Sequence, residues 1–325
     1  MSKEFHFRSS LGTHIQKFIA EKQSMGFQYT TQAYLMQQFD TYWAEKGYTS
    51  LHLTPESLDG WVTKRDSEGK EYLFSRISVV REFSRYLNGV GIESYIPPHD
   101  VRRTRPLIHI LCDKEARELF QQIDAYTPKI QNRANIRLSH EYPVLFRLIY
   151  SCGLRKAEAC DLTMKQLDLA KGTITLYGTK GNKDRVVYLA EDMRQLCLEY
   201  LKKLHQDHEY SGLYVFPGAK TAEPVPHATV CRVFNKFWKQ TSFAETCDVA
   251  PTVHSLRHTY VVKRVNLWMQ QGLDMNVMMP YLSKQLGHKG IDETYYYYHY
   301  VEESARVIAE KDSLGKKVIP EVKRR

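Results

Sequence analysis

GTITLYGTKGNKDRVVYL, residues 172–189, is where the texture of this chain turns to β. Thr173 to Tyr177 and Arg185 to Leu189 are rich in β-branched and aromatic residues. The GTKGNKD between them supplies the glycines, asparagine and aspartate of a tight connection. The spacing predicts a hairpin with Lys180 on its turn. On both sides the apolar residues return at helical intervals. The pattern predicts helices over Cys112–Ile123 and Tyr142–Ser151 before the hairpin. After it come Asp192–His205, His227–Gln240, Val253–Gln271 and Asn276–Leu286, the last stopped by Gly287. The expected fold class is therefore mostly α, with one small β-sheet or hairpin.

Further back, IESYIPPHDVRRTRP (residues 92–106) carries three prolines and three arginines with no helical period, which reads as a stiff, basic linker. Ahead of it, Leu11 to Gly91 reads as four helices. Ile15, Phe18 and Ile19 share one face, Leu35, Phe39 and Trp43 another, and Gly47 closes the second helix. Thr54-Pro55 is a start signal, an N-cap followed by proline at the first helical position. Ile77, Val80, Phe83 and Tyr86 stripe a fourth helix over Tyr72–Leu87. The expected organisation is a helical domain over 1–92, a linker over 93–107 and a mixed domain over 108–325 that ends in a tail.

At 325 residues, 42% hydrophobic and 26% charged, the chain is long enough for two cores. No stretch approaches the roughly 18 apolar residues of a membrane span, and MSKEFHFRSS lacks the apolar centre of a secretory signal. Membrane association is not expected, and a cytoplasmic location is. Cysteines 112, 152, 160, 197, 231 and 247 form no C-x-x-C, so reduced, mostly buried thiols are expected, without disulfides or a structural metal. The net charge of +9 is shared between 14 basic and 12 acidic residues in 1–105 and 32 and 25 in the remainder. A basic surplus in both halves permits a polyanionic partner.

Four local patterns then stand in order. Gly153-Leu154-Arg155 with Glu158 follows the apolar helix; alone, an Arg–Glu pair at i, i+3 is an ordinary helical salt bridge. Lys180 on the hairpin turn is, alone, a solvated lysine. His254 and Arg257 share a helix face just after Pro251-Thr252, near first-turn N–H groups that favour an anion. His258 beside them is assigned to a different face. Leu286-Gly287-His288 precedes a run from Tyr295 to Tyr298, too many aromatics to face one core.

Together these patterns resemble the tyrosine recombinase (phage integrase) family. Its signature is an arginine with an acid three residues on, a hairpin lysine, H-x-x-R, an LGH, and a tyrosine nine residues after that histidine. The matching positions are Arg155 with Glu158, Lys180, His254, Arg257, His288 and Tyr297, with Tyr296 and Tyr298 as the nearest competitors for the nucleophile. The hairpin departs slightly from the family's bare G-K-G, since Thr179 precedes the lysine. The likeness spans about residues 107–310, and the first half resembles the family's SAM-like core-binding domain.

The resemblance implies a site-specific recombinase that makes a 3′-phosphotyrosine without cofactor or metal. Arg155 and Arg257 would hold phosphate oxygens, since fixed forks answer the charge gathered in the transition state. His254 would be the base for Tyr297, Lys180 the acid for the leaving 5′ oxygen, His288 a phosphate ligand, and Glu158 the support of the arginines. The implied partner is double-stranded DNA with an inverted-repeat core site, met by a dimer on one site and a tetramer in synapsis. An accessory DNA-bending protein is a further implied partner, the location is nucleoid-associated, and the C-terminal tail would dock on a neighbouring protomer. Integration or excision of a mobile element is favoured by the length of Thr127–Tyr142. Type IB topoisomerase-like relaxation, Xer-like chromosome-dimer resolution and DNA binding without catalysis are the alternatives.

Overall fold

The computed structural model describes residues 5–98, 107–179, 183–206 and 209–301. It divides into two compact units, Met1–Pro106 and Leu107–Arg325. Residues 99–106 of the linker, the Lys180 turn and the tail from 302 onward lie outside the described residues. Among the described residues no helix is long and apolar enough to cross a membrane.

The first unit is four helices, α1 (Gly12–Ser24), α2 (Thr30–Glu45), α3 (Pro55–Val62) and α4 (Lys70–Gly89). The striped residues of the helices, Ile77 apart, meet in one aromatic core, with Phe39 edge-on to Trp61 at 5.1 Å and Phe18 against Phe83 at 5.4 Å. Such pairs add about 0.5–1.5 kcal/mol each beyond area burial. Thr54 and Ser57 form a reciprocal capping box at the start of α3. Trp61 and Thr63 at its far end give their carbonyls to Arg76, which is fully buried and also paired with Glu68 through Nε at 2.6 Å and Nη2 at 2.7 Å.

The second unit contains α5 (Asp113–Asp124), α6 (Arg133–Cys152), α7 (Lys156–Cys160), α8 (Glu191–Gln206), α9 (His227–Trp238), α10 (Val253–Gln270), α11 (Met275–Leu286) and α12 (Asp292–Tyr295), then a 3₁₀ turn over Tyr296–Tyr300. Helix α6 is central, packed against α8 and α10. Its Phe146 meets Phe234 of α9 at 5.6 Å. This helix begins nine residues before the expected Tyr142. Asn132 caps it through the Asn135 N–H at 2.9 Å, and it runs straight through Pro143. Most of the supposed extra length at 127–142 is therefore the opening of a helix.

The expected hairpin is part of a three-stranded antiparallel sheet, β1 (Leu167–Asp168), β2 (Thr173–Thr179) and β3 (Lys183–Tyr188). Ile174 faces Val187 and Leu176 faces Arg185, while Tyr177, Val186 and Tyr188 point to solvent. The period of two thus turns Arg185 inward on the same side as Val187. The six cysteines are unpaired. Cys152, Cys160 and Cys197 are buried, but Cys112 is exposed and Cys231 and Cys247 are half-buried, so the expectation of mostly buried thiols holds for three of six. Among the described residues no group of three His, Cys, Asp or Glu is arranged to hold a metal ion.

Candidate functional site

The site is built where the ends of α6 and α11 meet the start of α10. Helix α6 stops at Gly153, whose φ of +66° suits glycine, and a Cβ there would lie 2.5 Å from the Tyr260 ring. Arg155 follows as the N-cap of α7. Its N–H donates to Glu158 Oε2 at 2.7 Å and its Nη1 to Glu158 Oε1 at 2.8 Å. Nη2 then donates to the Gly287 carbonyl at 2.7 Å, just past the end of α11. Arg257 on α10 is 2% exposed and donates from Nη1 to the Gly153 carbonyl at 2.6 Å and from Nη2 to the Leu286 carbonyl at 2.8 Å. Two sequence-distant arginines are thus fixed on one turn, Leu286-Gly287-His288.

A third arginine completes the frame, and the sequence reading had not singled it out. Arg185, inward on β3, donates to both Glu158 oxygens at 2.9 and 2.6 Å and from Nε to the Gln285 carbonyl at 2.8 Å. A signal for it was present, since an arginine alternating with Val187 on a buried strand face has to find a charged partner. Burial works against a charged Glu158, but the hydrogen bonds and charges of Arg185 and Arg155 outweigh it and hold the carboxyl below its usual range. The local balance is three guanidinium groups to one carboxylate.

The histidines add no charge to this. Desolvation and the Arg257 and Arg155 cations push His288 down to about 3, and the same causes push His254 down to about 4 although its ring keeps an exposed edge. His258 is pushed to about 3 by burial, then by His254, Arg257 and His288. Arg257 can only donate, so His288 Nε2, 3.2 Å away, accepts. Its Nδ1–H is then left to donate to the buried Thr294 Oγ1 at 2.7 Å.

Tyr297 lies on the 3₁₀ turn, 4% exposed, in a small core with Tyr260, Val265, Met279 and Leu286. Its ring is parallel to that of His288, with centroids 6.5 Å apart. Burial raises its hydroxyl to about 12 against the pull of Arg257. The hydroxyl meets His258 Nδ1 at 2.7 Å. His258, expected on a different face from His254 and Arg257, thus faces the same cluster, while His254, expected as the base, packs edge-on against the His258 ring at 4.4 Å. Tyr296 and Tyr298 lie on the same turn, and the Tyr296 hydroxyl pairs with Tyr300 at 3.2 Å. Arg155, Glu158, His254, Arg257, His288 and Tyr297 are therefore brought together, while Lys180 lies outside the described residues.

Comparison with known proteins gives the same neighbourhood. The sequence model of the phage integrase family matches residues 110–304. Tyrosine recombinase XerC of Lacticaseibacillus casei (strain BL23) is 26% identical over 284 residues, covering 83% of this chain and 87% of its own. Among solved structures, XerH site-specific recombinase bound to difH substrate in a pre-cleavage complex aligns with a TM-score of 0.62 at 18% identity, over 93% of this chain and 85% of that one. The Tn1549 transposon integrase in complex with transposon right end DNA aligns with a TM-score of 0.61 at 15% identity, over 92% and 98%. These structural likenesses concern the fold.

Proposed function

Since the chain belongs to the phage integrase family and is a tyrosine recombinase, a DNA strand-transferring enzyme, we propose that it cleaves and rejoins DNA at a specific core site through a 3′-phosphotyrosine at Tyr297. The observation that carries the reading is the Tyr297 hydroxyl on the His258 imidazole, beside Arg155 and Arg185 sharing the one carboxylate of Glu158 and Arg257 held by backbone carbonyls. That surplus of fixed positive charge suits the anionic oxygens of a phosphodiester, which gather more charge as the phosphorus is attacked. The four-helix unit is read as the core-binding domain and the larger unit as the catalytic domain.

In the proposed step the Tyr297 oxygen bonds to phosphorus and the bond to the 5′ oxygen breaks. Arg155 and Arg257 bind the non-bridging oxygens, while Glu158 and Arg185 hold Arg155 and the β3 edge in register. The Tyr297 proton passes to His258 Nδ1, the group already against it, rather than to His254. His254, with its exposed ring edge, and His288 serve the phosphate, and by family resemblance Lys180 protonates the leaving oxygen. The incoming phosphate offsets the Arg257 charge, which adds to burial in depressing His258, so substrate binding itself makes His258 a better base. The phosphotyrosine bond keeps the energy of the phosphodiester, and a free 5′ hydroxyl reverses the step.

The DNA partner is proposed as an inverted repeat held by a dimer and paired as a tetramer, with a DNA-bending protein where the site requires one. The biological setting is integration or excision of a mobile element, with Xer-like dimer resolution as the second reading, favoured by the likeness to XerC. The length of 127–142 does not separate them, being largely α6.

The test uses a pool of nicked duplex fragments of host DNA, in which the short 5′ piece diffuses away and traps the covalent adduct. Adducts at one inverted-repeat sequence through Tyr297, lost on the order of 10⁴-fold or more in Tyr297→Phe, are expected. Adducts through another residue overturn the nucleophile, and adducts scattered over many sequences favour DNA relaxation of the topoisomerase kind.

A further inference from the structure

Away from the arginines, the second unit holds another ordered set of reactive groups. His109 sits in the extended stretch leading to α5. Its Nε2 lies 2.9 Å from Glu115 Oε1 and its Nδ1 3.2 Å from the Cys247 thiol. Glu115 is fixed because its other oxygen accepts the Cys112 N–H at 2.7 Å, closing the cap of α5. The His109 ring is fixed again by Trp238, edge-on at 5.7 Å. Trp238 is 3% exposed, and its indole N–H has no hydrogen-bond partner among the described residues, a spare buried donor beside the set. The thiol itself is half-buried, has the Val249 carbonyl at 2.8 Å as a second acceptor competing with His109 Nδ1 for its one hydrogen, and borders an open cleft of about 440 Å³ with Ile108, Thr246 and Asp248.

A nucleophile within reach of a base, and a base oriented by a third group, is the arrangement that activates a thiol. Among the described residues none of the other five cysteines has it. Three are buried, Cys112 is exposed with no described imidazole against it, and Cys231 takes a hydrogen bond from Lys156 Nζ at 3.1 Å. We propose that Cys247 is a covalent modification site for small soft electrophiles, in particular low-molecular-weight disulfides entering this cleft, with His109 as its base and Glu115 as the group that orients the base.

The step balances without another reactant. The thiol proton moves to His109 Nδ1, the Cys247 sulfur forms a new S–S bond, the disulfide's own S–S bond breaks, and the released thiolate takes the proton from His109. The cleft also bears on the recombinase site, a consequence that rests on the function proposed above. Cys247 lies in the loop entering α10, and Leu111, two residues beyond His109, donates its N–H to Thr259 of α10 at 3.0 Å. Helix α10 carries His254, Arg257 and His258, so an adduct in the cleft bears on the loop entering that helix and on the Leu111–Thr259 contact.

The test exposes the full chain to limiting iodoacetamide and, separately, to bis(2-hydroxyethyl) disulfide, and follows each cysteine by peptide mass spectrometry. Cys247 is expected to react at least about tenfold faster than the more exposed Cys112 of the same molecules. His109→Gln, which keeps the ring's approximate volume, is expected to bring Cys247 down to the Cys112 rate or below. Reaction of Cys247 no faster than Cys112 in the unaltered chain overturns the proposal without recourse to any variant. An unaltered Cys247 rate in His109→Gln overturns the role of His109. Protein fully modified at Cys247 is expected to trap nicked DNA several-fold more slowly. Undiminished trapping overturns the link to α10 alone, and absence of trapping by the unmodified chain counts against the recombinase reading, not the thiol.

Discussion

Both units bury arginine against glutamate, the larger one also in the matched Arg137–Glu141 pair, but at the candidate site the pairing is different. In the four-helix unit, Arg76 and Glu68 are matched one to one, with side chains 0% and 4% exposed, and the donors left over serve the carbonyls of Trp61 and Thr63. No net charge remains there to attract a ligand. In the larger unit, Glu158 is shared by Arg155 and Arg185, and among the described residues Arg257 is held by carbonyls and by a histidine that accepts. The first arrangement closes on itself, whereas the second is short of negative charge. Burying an ion pair costs desolvation, so a matched pair is at best a way to fix geometry, while an unmatched cluster is tolerable where an anion completes it.

The largest effect that can break this contrast is on stability. Arg76→Ala leaves Glu68 buried and uncompensated and is expected to cost about 3–5 kcal/mol of the four-helix unit's stability. Urea unfolding of the full chain should show one transition moved and the larger unit's unmoved. Arg155→Ala should invert this. Glu158 stays paired with Arg185 when Arg155 is lost, so the unfolding free energy should fall by less than in Arg76→Ala, about 1–2 kcal/mol. Adduct formation on nicked DNA should fall on the order of 10²–10³-fold, the usual cost of losing one fixed donor to a developing charge. An Arg155→Ala chain that unfolds as Arg76→Ala does, yet cleaves normally per folded molecule, would make the arginine cluster structural.

Much of this could be read from the residues. Thr54-Pro55 and Gly47 placed helix ends because capping is local chemistry, and the glycines and asparagine between β2 and β3 marked a turn for the same reason. Arg155 with Glu158, and His254 with Arg257, came together because a helix turn fixes neighbours at three residues. The misses have equally simple causes. His258 is four residues from His254, which turns the helix by 400°, leaving it 40° from His254 around the axis, so it shares that stripe instead of opposing it. Arg185 was hidden by treating the hairpin as a turn with a lysine, although strand alternation puts it beside Val187. The expected start of α6 at Tyr142 falls too late because the stretch before it reads as added length, although the buried Arg137–Glu141 pair at 2.9 Å is spaced for one helix face. That His258 meets Tyr297 across 39 residues was not legible, since no local pattern fixes which face of α10 the 3₁₀ turn covers.

A smaller effect sharpens the view of the shared carboxylate. Glu158→Gln keeps the shape but removes the charge that holds both Arg155 and Arg185. Cleavage is expected to slow about 10–100-fold, the scale seen when an orienting partner is lost. Binding to uncleaved duplex should not weaken, because the positive surplus grows. Loss of duplex binding in step with cleavage would mean that Glu158 supports the fold of the site and not the aim of its arginines.

The smallest expected effect lies in pH, and the two units should differ in its range. Burial works against a charged Glu68, but its bonds to Arg76 and the Arg65 N–H hold the carboxyl below 4.5. The stability it contributes is complete above about 4.5 and is lost as pH falls through its folded value. His258 in the larger unit acts earlier. Unfolded, it takes up a proton near 6.5, but folded only near 3, so the unfolded chain binds the extra proton and stability falls as pH drops from 6.5. At pH 5 this amounts to at most about 2 kcal/mol. Glu141 titrates over the same range with the opposite sign, because burial lifts its folded value to about 8. The quantity to measure is therefore the difference between the parent chain and His258→Gln, in which Glu141 cancels. By urea unfolding at pH 7.5 and pH 5, the larger unit of the parent should lose up to about 2 kcal/mol more than the variant does. The four-helix transition should keep the same pH dependence in both. An equal loss in parent and variant would mean that His258 is already free to protonate in the folded chain, and a histidine so placed is not the neutral acceptor on which the attack by Tyr297 depends.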